Sequence, residues 1–227
     1  MEVGMRTTRF LVVVLVVLVV ATMLVGCATY NTRGSMPVIS RIEESRLLKA
    51  EKDGVEVKAF PILTKEDSEK YFDEDLPNNR ILAIFLDISN TNRTSNSNKV
   101  KVVSSELRIG ETILQPSTAD VVYKAIRRGY VLKAWLWTIP TWFVGAIPSV
   151  IHTAVVNTKI EEDIKEKGLN FGKAIGPMGA TQGFVWFKIP KKAAPEYKSN
   201  GLLPKGTILN LILESKQEKI EYKLPMH

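Results

Sequence analysis

The feature that most restricts the fold of this chain is the nearly unbroken apolar run from Ile81 to Ile88. A strand with one face in water alternates apolar and polar side chains, whereas this run is apolar at nearly every position. The pattern predicts a central strand that is covered on both faces. Any fold of the chain must therefore place packing partners on each side of this strand.

Two short turn signals predict β-hairpins on either side of that run. Asp53-Gly54 lies between Leu48–Lys52 and Val55–Phe60, and Gly110-Glu111 separates two further strand-like segments, Val100–Ile109 and Thr112–Gln115. Such pairs suit two-residue turns, which need positive φ. Three more strands are expected near the C-terminus: Gly183–Ile189, Thr207–Leu213 and Ile220–Leu224. Seven or eight short strands of this kind predict a mainly β fold, an immunoglobulin-like β-sandwich.

One short helix is expected among the early strands. Thr64 suits its N-cap, Glu66 and Asp67 favour its positive end, and Tyr71 and Phe72 would pack inward. A helix at this place would separate the first hairpin from the central strand.

The acidic cluster Asp73, Glu74 and Asp75 does not predict a calcium loop. Pro77 and Asn78 stand where such a loop has a ligand and a glycine. We interpret the cluster as a solvated helix end.

Residues 117–169 have a helical pattern, unlike the β pattern of the chain on either side. This pattern predicts an inserted helical hairpin. Ala119–Trp137 and Ser149–Lys167 have helical character, while Pro140 and Pro148 bracket an apolar tip. The arms carry charges near their base, and the tip carries none.

Aromatic side chains are concentrated at that tip: Trp135, Trp137, Trp142 and Phe143. Indole rings favour the boundary of a bilayer, so the tip is a candidate for membrane contact. Three alternatives stay open: packing on the sandwich, burial in a partner protein or a second copy, and a full membrane span by Ala134–Val156.

The N-terminus has the three parts of an export signal. Arg6 and Arg9 give it a positive start, Phe10–Val20 is an apolar core, and small residues lead to Cys27. The alternatives are a plain membrane anchor, for which the apolar run is short, and a cleaved signal with an accidental cysteine. Cys27 is the one cysteine of the chain, so we expect no disulfide.

The segment Leu24-Val25-Gly26-Cys27 resembles the lipobox of bacterial lipoproteins. The resemblance implies cleavage after Gly26, so that residues 1–26 are a signal peptide, and attachment of diacylglycerol and a further acyl chain such as palmitate to Cys27. It also implies a bacterial cell-envelope protein. Ala28 follows the cysteine where an aspartate would retain the protein at the inner membrane, so we expect the outer membrane, facing the periplasm.

The rest of the chain would form a tether and one domain. Residues 27–46 include small, polar and proline positions typical of a tether. Residues 47–227 would form the β-sandwich domain with the hairpin insertion. The whole pattern resembles uncharacterised envelope lipoproteins, a resemblance that implies no catalytic residue and no ligand.

Residues able to carry catalysis are scarce. The two histidines, His152 and His227, belong to no visible metal or nucleophile arrangement, and Gly168 to Gly183 lacks the spacing of a phosphate loop. We expect no enzyme activity, no metal and no cofactor. The net charge of +7 suits acidic surfaces such as lipid headgroups, and export argues against nucleic acid as a partner.

These patterns predict a lipid-anchored, non-enzymatic binding or scaffolding module. Its contacts would be the membrane through acylated Cys27, and the membrane, an envelope protein or a second copy through the hairpin tip. Two alternatives remain: a transport or assembly accessory with a membrane-crossing hairpin, and an envelope hydrolase that uses paired carboxylates.

Overall fold

The computed structural model describes residues 36–93, 99–127, 146–193, 197, 202–215 and 218–226, without the side chains of 146–153. The predicted signal peptide, residues 27–35 of the tether and the hairpin tip lie outside these residues. The chain divides into two units, and each strand given below belongs to the unit of 32–127 and 160–227. The other unit, 1–31 and 128–159, contains 146–159 as its described part.

The described residues form two antiparallel sheets, which confirms the prediction of a mainly β fold. The first sheet has the order β1-β2-β3-β7, and the second has the order β5-β4-β8-β9 with β6 also paired to β4. The strand bounds are β1 Leu48–Lys52, β2 Val55–Ile62, β3 Ile81–Asn90, β4 Val100–Ile109, β5 Thr112–Leu114, β6 Ala174–Ile175, β7 Ala180–Lys188, β8 Thr207–Ser215 and β9 Glu218–Met226.

Side chains from both sheets form one hydrophobic core. Strand β8 shows the expected alternation, with Leu209, Leu211 and Leu213 buried between half-exposed neighbours. They belong to the same cluster as Val55 and Val57 of β2 in the other sheet. Burial of one such aliphatic side chain stabilises the fold by about 1.5–3 kcal/mol.

Strand β3 is buried from Ile81 through Ile88, as the apolar run predicts. Leu82, Ile84 and Leu86 lie in the core shared by the two sheets. Phe85 belongs to the opposite face, where its ring contacts Phe184 of β7 at 5.2 Å. The strand is thus covered on both sides.

Both predicted hairpins are confirmed. Lys52 pairs with Val55 across Asp53-Gly54, whose φ angles are 53° and 70°. These positive angles are those of a type I′ turn, which matches the twist of antiparallel strands. The second hairpin pairs Ile109 with Thr112 around Gly110.

The immunoglobulin-like topology is not confirmed. That topology places the first, second, fifth and fourth strands in one sheet and moves the third to the other. Here β1, β2 and β3 are neighbours, and the chain enters the second sheet at β4. The third strand stays in the first sheet because the helix between β2 and β3 returns the chain to that sheet.

Three helices are described: α1 Lys65–Phe72, α2 Ala119–Ile126 and α3 Ala146–Lys167, along with two 3₁₀ turns at Ile39–Arg41 and Glu44–Arg46. The Thr64 hydroxyl accepts a hydrogen bond from Asp67 N at 3.2 Å, so the predicted cap is confirmed. Tyr71 and Phe72 are buried, also as predicted. Phe72 contacts the ring of Phe184 at 4.8 Å, which places α1 on the outer face of the first sheet.

The predicted helical hairpin is not shown. Helix α2 ends at Ile126 and does not continue to Trp137, because Arg127 has ψ 137°, outside the helical region. Residues 128–145, with the predicted tip, lie outside the described residues. Helix α3 ends before Gly168 as expected, but it already includes Ala146, so that Pro148 lies within the helix and not before it.

Two tyrosine hydroxyls connect distant parts of this fold. Tyr222 of β9 donates to Lys52 O at 2.9 Å, and Tyr197 donates to Ile81 O at 2.8 Å. Burial raises the pKa of Tyr222 to about 12, and burial raises the pKa of Tyr197 as well. Both hydroxyls therefore favour the protonated form in the folded state.

We expect this protein to lose stability as the pH rises from about 10 through 12. Tyrosine in the unfolded chain has a pKa of about 10, so the unfolded state releases its protons first and becomes favoured above that pH. Below pH 10 the contribution is fully present. Urea unfolding at several pH values should show a smaller loss for the Tyr197→Phe/Tyr222→Phe double variant than for the wild type. Equal losses of stability in the two proteins would contradict the assignment of this pH dependence to Tyr197 and Tyr222.

Candidate binding site

Strand β7 lies at the edge of the first sheet, and two segments from elsewhere cover that edge. Ser117 N donates to Trp186 O at 2.7 Å, and Leu169 N donates to Phe184 O at 2.9 Å. An uncovered strand edge exposes backbone groups that can pair with another chain. Here the segment before α2 and the segment after α3 pair with backbone carbonyls of this edge.

The close approach of Leu169 requires a glycine in β7. A Cβ atom on Gly183 would lie 2.5 Å from Leu169 Cα and 2.7 Å from Leu169 N. These are backbone atoms, so they cannot move aside as a flexible side chain would. Gly183 thus allows the segment after α3 to lie against the strand.

Between the two covering segments is a cavity of about 650 Å³. This volume falls within the range of small-molecule sites. Its lining includes apolar side chains of β4, α3 and β7 and the hydroxyl residues Ser104, Ser117 and Thr118. We call it the β7-edge cavity.

Trp186 is one of the residues that line this cavity, and the hydrogen bonding of its indole nitrogen is unusual. The residue is 4% exposed, and its indole Nε1–H is buried without an acceptor in the part of the chain that the structure describes. The ring stacks on Phe184 with centroids 6.4 Å apart. A buried donor without an acceptor is destabilising, so this N–H calls for an explanation.

The mouth of the cavity combines apolar surface with charges of both signs. Val103 and Phe171, both lining residues, are 40% and 38% exposed. Lys165 and Glu166 also line the cavity. A hydrogen bond from Lys165 to Glu161, at 2.6 Å, raises the pKa of that lysine and keeps it charged.

Lys167 of α3 forms a buried ion pair within its own helix and also joins that helix to α1. The Lys167 ammonium lies 2.8 Å from the Asp163 carboxylate, and both side chains are 5% exposed. The same ammonium donates to Tyr71 O and lies 5.0 Å from the centre of the Phe72 ring. The end of α3, which forms one wall of the cavity, is thereby fixed to the helix that covers the first sheet.

A smaller cavity of about 230 Å³ lies where the described chain begins. Arg46 pairs with Asp67 there, and its guanidinium lies 4.9 Å from the centre of the Phe60 ring. Lys70 lies 5.0 Å from the centre of the Tyr71 ring. The two Arg46 contacts hold the end of the predicted tether against α1 and β2.

The predicted site residues lie outside the part of the chain that the structure describes. Leu24, Val25, Gly26 and Cys27 lie outside the described residues, as do Trp135, Trp137, Trp142, Phe143 and His227. His152 lies in α3, but its side chain is not described. Sequence reasoning missed the β7-edge cavity, although Gly183 was a signal that the backbone approaches closely there.

We expect Gly183→Ala to destabilise the domain by about 2–3 kcal/mol, because its new methyl group would overlap backbone atoms of Leu169. Gly176→Ala is the matched control, since a Cβ there meets no atom within 4 Å. It should change the free energy of unfolding by less than about 0.5 kcal/mol. Urea unfolding measures both, and a similar effect of the two would contradict the close-approach argument.

Lys167→Ala should destabilise the domain by about 3–5 kcal/mol, because it leaves the buried Asp163 carboxylate without this cation. Lys165→Ala removes a pair of the same spacing on the same helix, but Lys165 and Glu161 are 59% and 39% exposed. Its cost should be much smaller, because water screens an exposed ion pair. Asp163→Leu/Lys167→Met should be more stable than Lys167→Ala, and thermal unfolding can rank the three variants.

Among the residues that the structure describes, no group of three or more His, Cys, Asp or Glu residues is placed to hold a metal ion. Every helix in the described ranges is too short or too polar to cross a membrane. No protein-family model, curated protein or solved structure matches the chain.

Proposed function

We propose that this chain is a lipid-anchored protein of the bacterial cell envelope whose β domain, a sandwich, is a non-enzymatic binding module. The β7-edge cavity is the observation that supports binding best, because its volume suits a small ligand and its lining combines apolar side chains with the hydroxyl groups of Ser104, Ser117 and Thr118. The lipobox-like segment ending at Cys27 supports the anchor.

The lining of the cavity favours binding over catalysis. It contains one carboxylate, that of Glu166, and neither histidine nor cysteine. Hydrolysis of a glycosidic bond typically uses two carboxylates that flank the bond, and a serine or cysteine nucleophile is activated by an adjacent base. The residues present suit recognition by shape and hydrogen bonding.

In this proposal acylated Cys27 holds the protein in the outer membrane, with the domain in the periplasm. Residues 27–46 act as the tether. The aromatic residues Trp135, Trp137, Trp142 and Phe143 give a second contact, with the same leaflet, a partner protein or another copy. Because the anchor already holds the chain at the membrane, a second contact with that leaflet would form at high effective concentration.

We expect Cys27→Ser to abolish incorporation of radioactive palmitate in bacteria and to leave an uncleaved precursor, because a thiolate is needed to form the thioether. Ala28→Ser is the control, since it changes the next position and keeps the thiol; it should still be labelled and processed. Gel migration and autoradiography report both results. Palmitate label on the Cys27→Ser protein would overturn the anchor.

A further inference from the structure

We propose that the domain rests on phospholipid headgroups through the end of the predicted tether. The tether-end surface consists of residues 36–42 together with Lys70, beside the cavity of about 230 Å³. Val38 lies at the level of the headgroups, and Arg41 and Lys70 bind lipid phosphates. This inference rests on the proposed function in one respect, that acylated Cys27 holds the chain at the membrane.

The second half of the predicted tether is part of the folded domain. Pro37 is buried, and the two 3₁₀ turns follow it. Arg46 pairs with Asp67 of α1, and its guanidinium lies over the ring of Phe60 in β2. Residues 36–46 therefore keep a fixed place on the domain instead of acting as a free spacer.

The short connection to Cys27 keeps this surface within reach of the membrane. Met36 is the first described residue and stands nine residues after Cys27. A fully extended chain spans at most about 3.3–3.6 Å per residue, so the two residues are within about 30 Å of each other. Acyl chains on Cys27 hold that residue at the headgroups. The leaflet that holds the anchor is therefore the partner that the tether-end surface meets at high effective concentration.

Apolar side chains of this surface are incompletely covered by the domain. Val38 is 47% exposed, and Met36, Ile39 and Ile42 are partly exposed. Removal of such groups from water is favourable, and the headgroup boundary accepts apolar side chains that have cations beside them. The exposed apolar groups thus suit a bilayer surface.

The charges beside these apolar groups are complementary to lipid phosphates. The cavity lining contains three cations, Arg41, Arg46 and Lys70, and two carboxylates, Glu43 and Asp67. Because Arg46 is paired with Asp67, the other two cations remain for a phosphate oxygen, and both are exposed. The ion pairs within the described ranges include neither of them. Charge-assisted hydrogen bonds to phosphate are a common role of such side chains.

The neighbouring charges largely cancel one another. Lys49 pairs with Glu44, and Lys65 pairs with Glu69. Glu66 lies in the first turn of α1, where the positive end of the helix offsets its charge. The positive excess of this surface is therefore small, so its contact with lipid is weak by itself and depends on the anchor.

The test uses the full-length protein in lipid vesicles and a fluorescent label at position 38. Cys27 is the one cysteine of the chain, and the thioether blocks its sulfur, so Val38→Cys adds the one free thiol. Ile113→Cys is the matched control, since Ile113 is 49% exposed and lies in β5 of the second sheet. Each thiol is coupled to a nitrobenzoxadiazole dye. Quenching by phospholipid with a nitroxide on its headgroup then measures contact with the leaflet.

We expect the nitroxide lipid to quench the label at position 38 several-fold more than the label at position 113. Arg41→Ala/Lys70→Ala should reduce the quenching at position 38 several-fold in vesicles that contain phosphatidylglycerol, because it removes the phosphate-binding cations. High salt should have the same effect, since it screens exposed charges. Lys219→Ala/Lys223→Ala removes two exposed cations from β9 and should leave the quenching unchanged.

The remaining outcomes would contradict the inference in different ways. Equal quenching at positions 38 and 113 would overturn the contact with lipid and leave the anchor intact. Blue-shifted emission at position 38 without quenching would assign the tether-end surface to a second copy, which also overturns the contact with lipid. Equal effects of the two double variants would overturn the roles of Arg41 and Lys70. Reaction of the dye with Cys27 of the wild-type protein would show a free thiol and overturn the anchor together with this inference.

Discussion

The burial of β3 on both faces is the constraint on which the rest of this fold depends. From Ile81 to Ile88 every residue is buried, so water must be excluded from both sides of one strand. The second sheet covers one side, and α1 with the rings of Phe72 and Phe184 covers the other. The sheets alone would leave Phe85 and its neighbours exposed, which explains why a mainly β chain contains helices at these positions.

The cavity follows from the way in which the first sheet ends. A regular strand beside β7 would pair along its length, but two short segments cover the edge and contact it at Phe184 and Trp186. Space remains between them, lined by residues of both segments, of β4 and of β7. The same packing that protects an edge therefore creates a concave surface, and the hydrogen bond from Lys167 to Tyr71 O fixes one of its walls.

Local features were predictable from the sequence where the deciding interactions lie within a few residues. The Asp53-Gly54 turn and the Thr64 cap depend on backbone conformation and on a hydrogen bond between residues three apart. The immunoglobulin-like order of strands was not confirmed, and the helix predicted to reach Trp137 ends at Ile126, because both depend on which distant surfaces are available. The β7-edge cavity was missed for the same reason: its walls come from segments far apart in the chain.

The sequence by itself determined the hairpins, the helix cap and the doubly covered strand, since turn geometry and apolar patterning are local properties. It also contains the contiguous motif at Cys27, on which the proposed anchor depends. Only the tertiary structure decided that Gly183 would admit Leu169, that Lys167 would meet Tyr71 O from 96 positions away, and that Trp186 Nε1 would be buried without an acceptor. Each of these depends on the close packing of segments distant in sequence, and no local pattern encodes such packing.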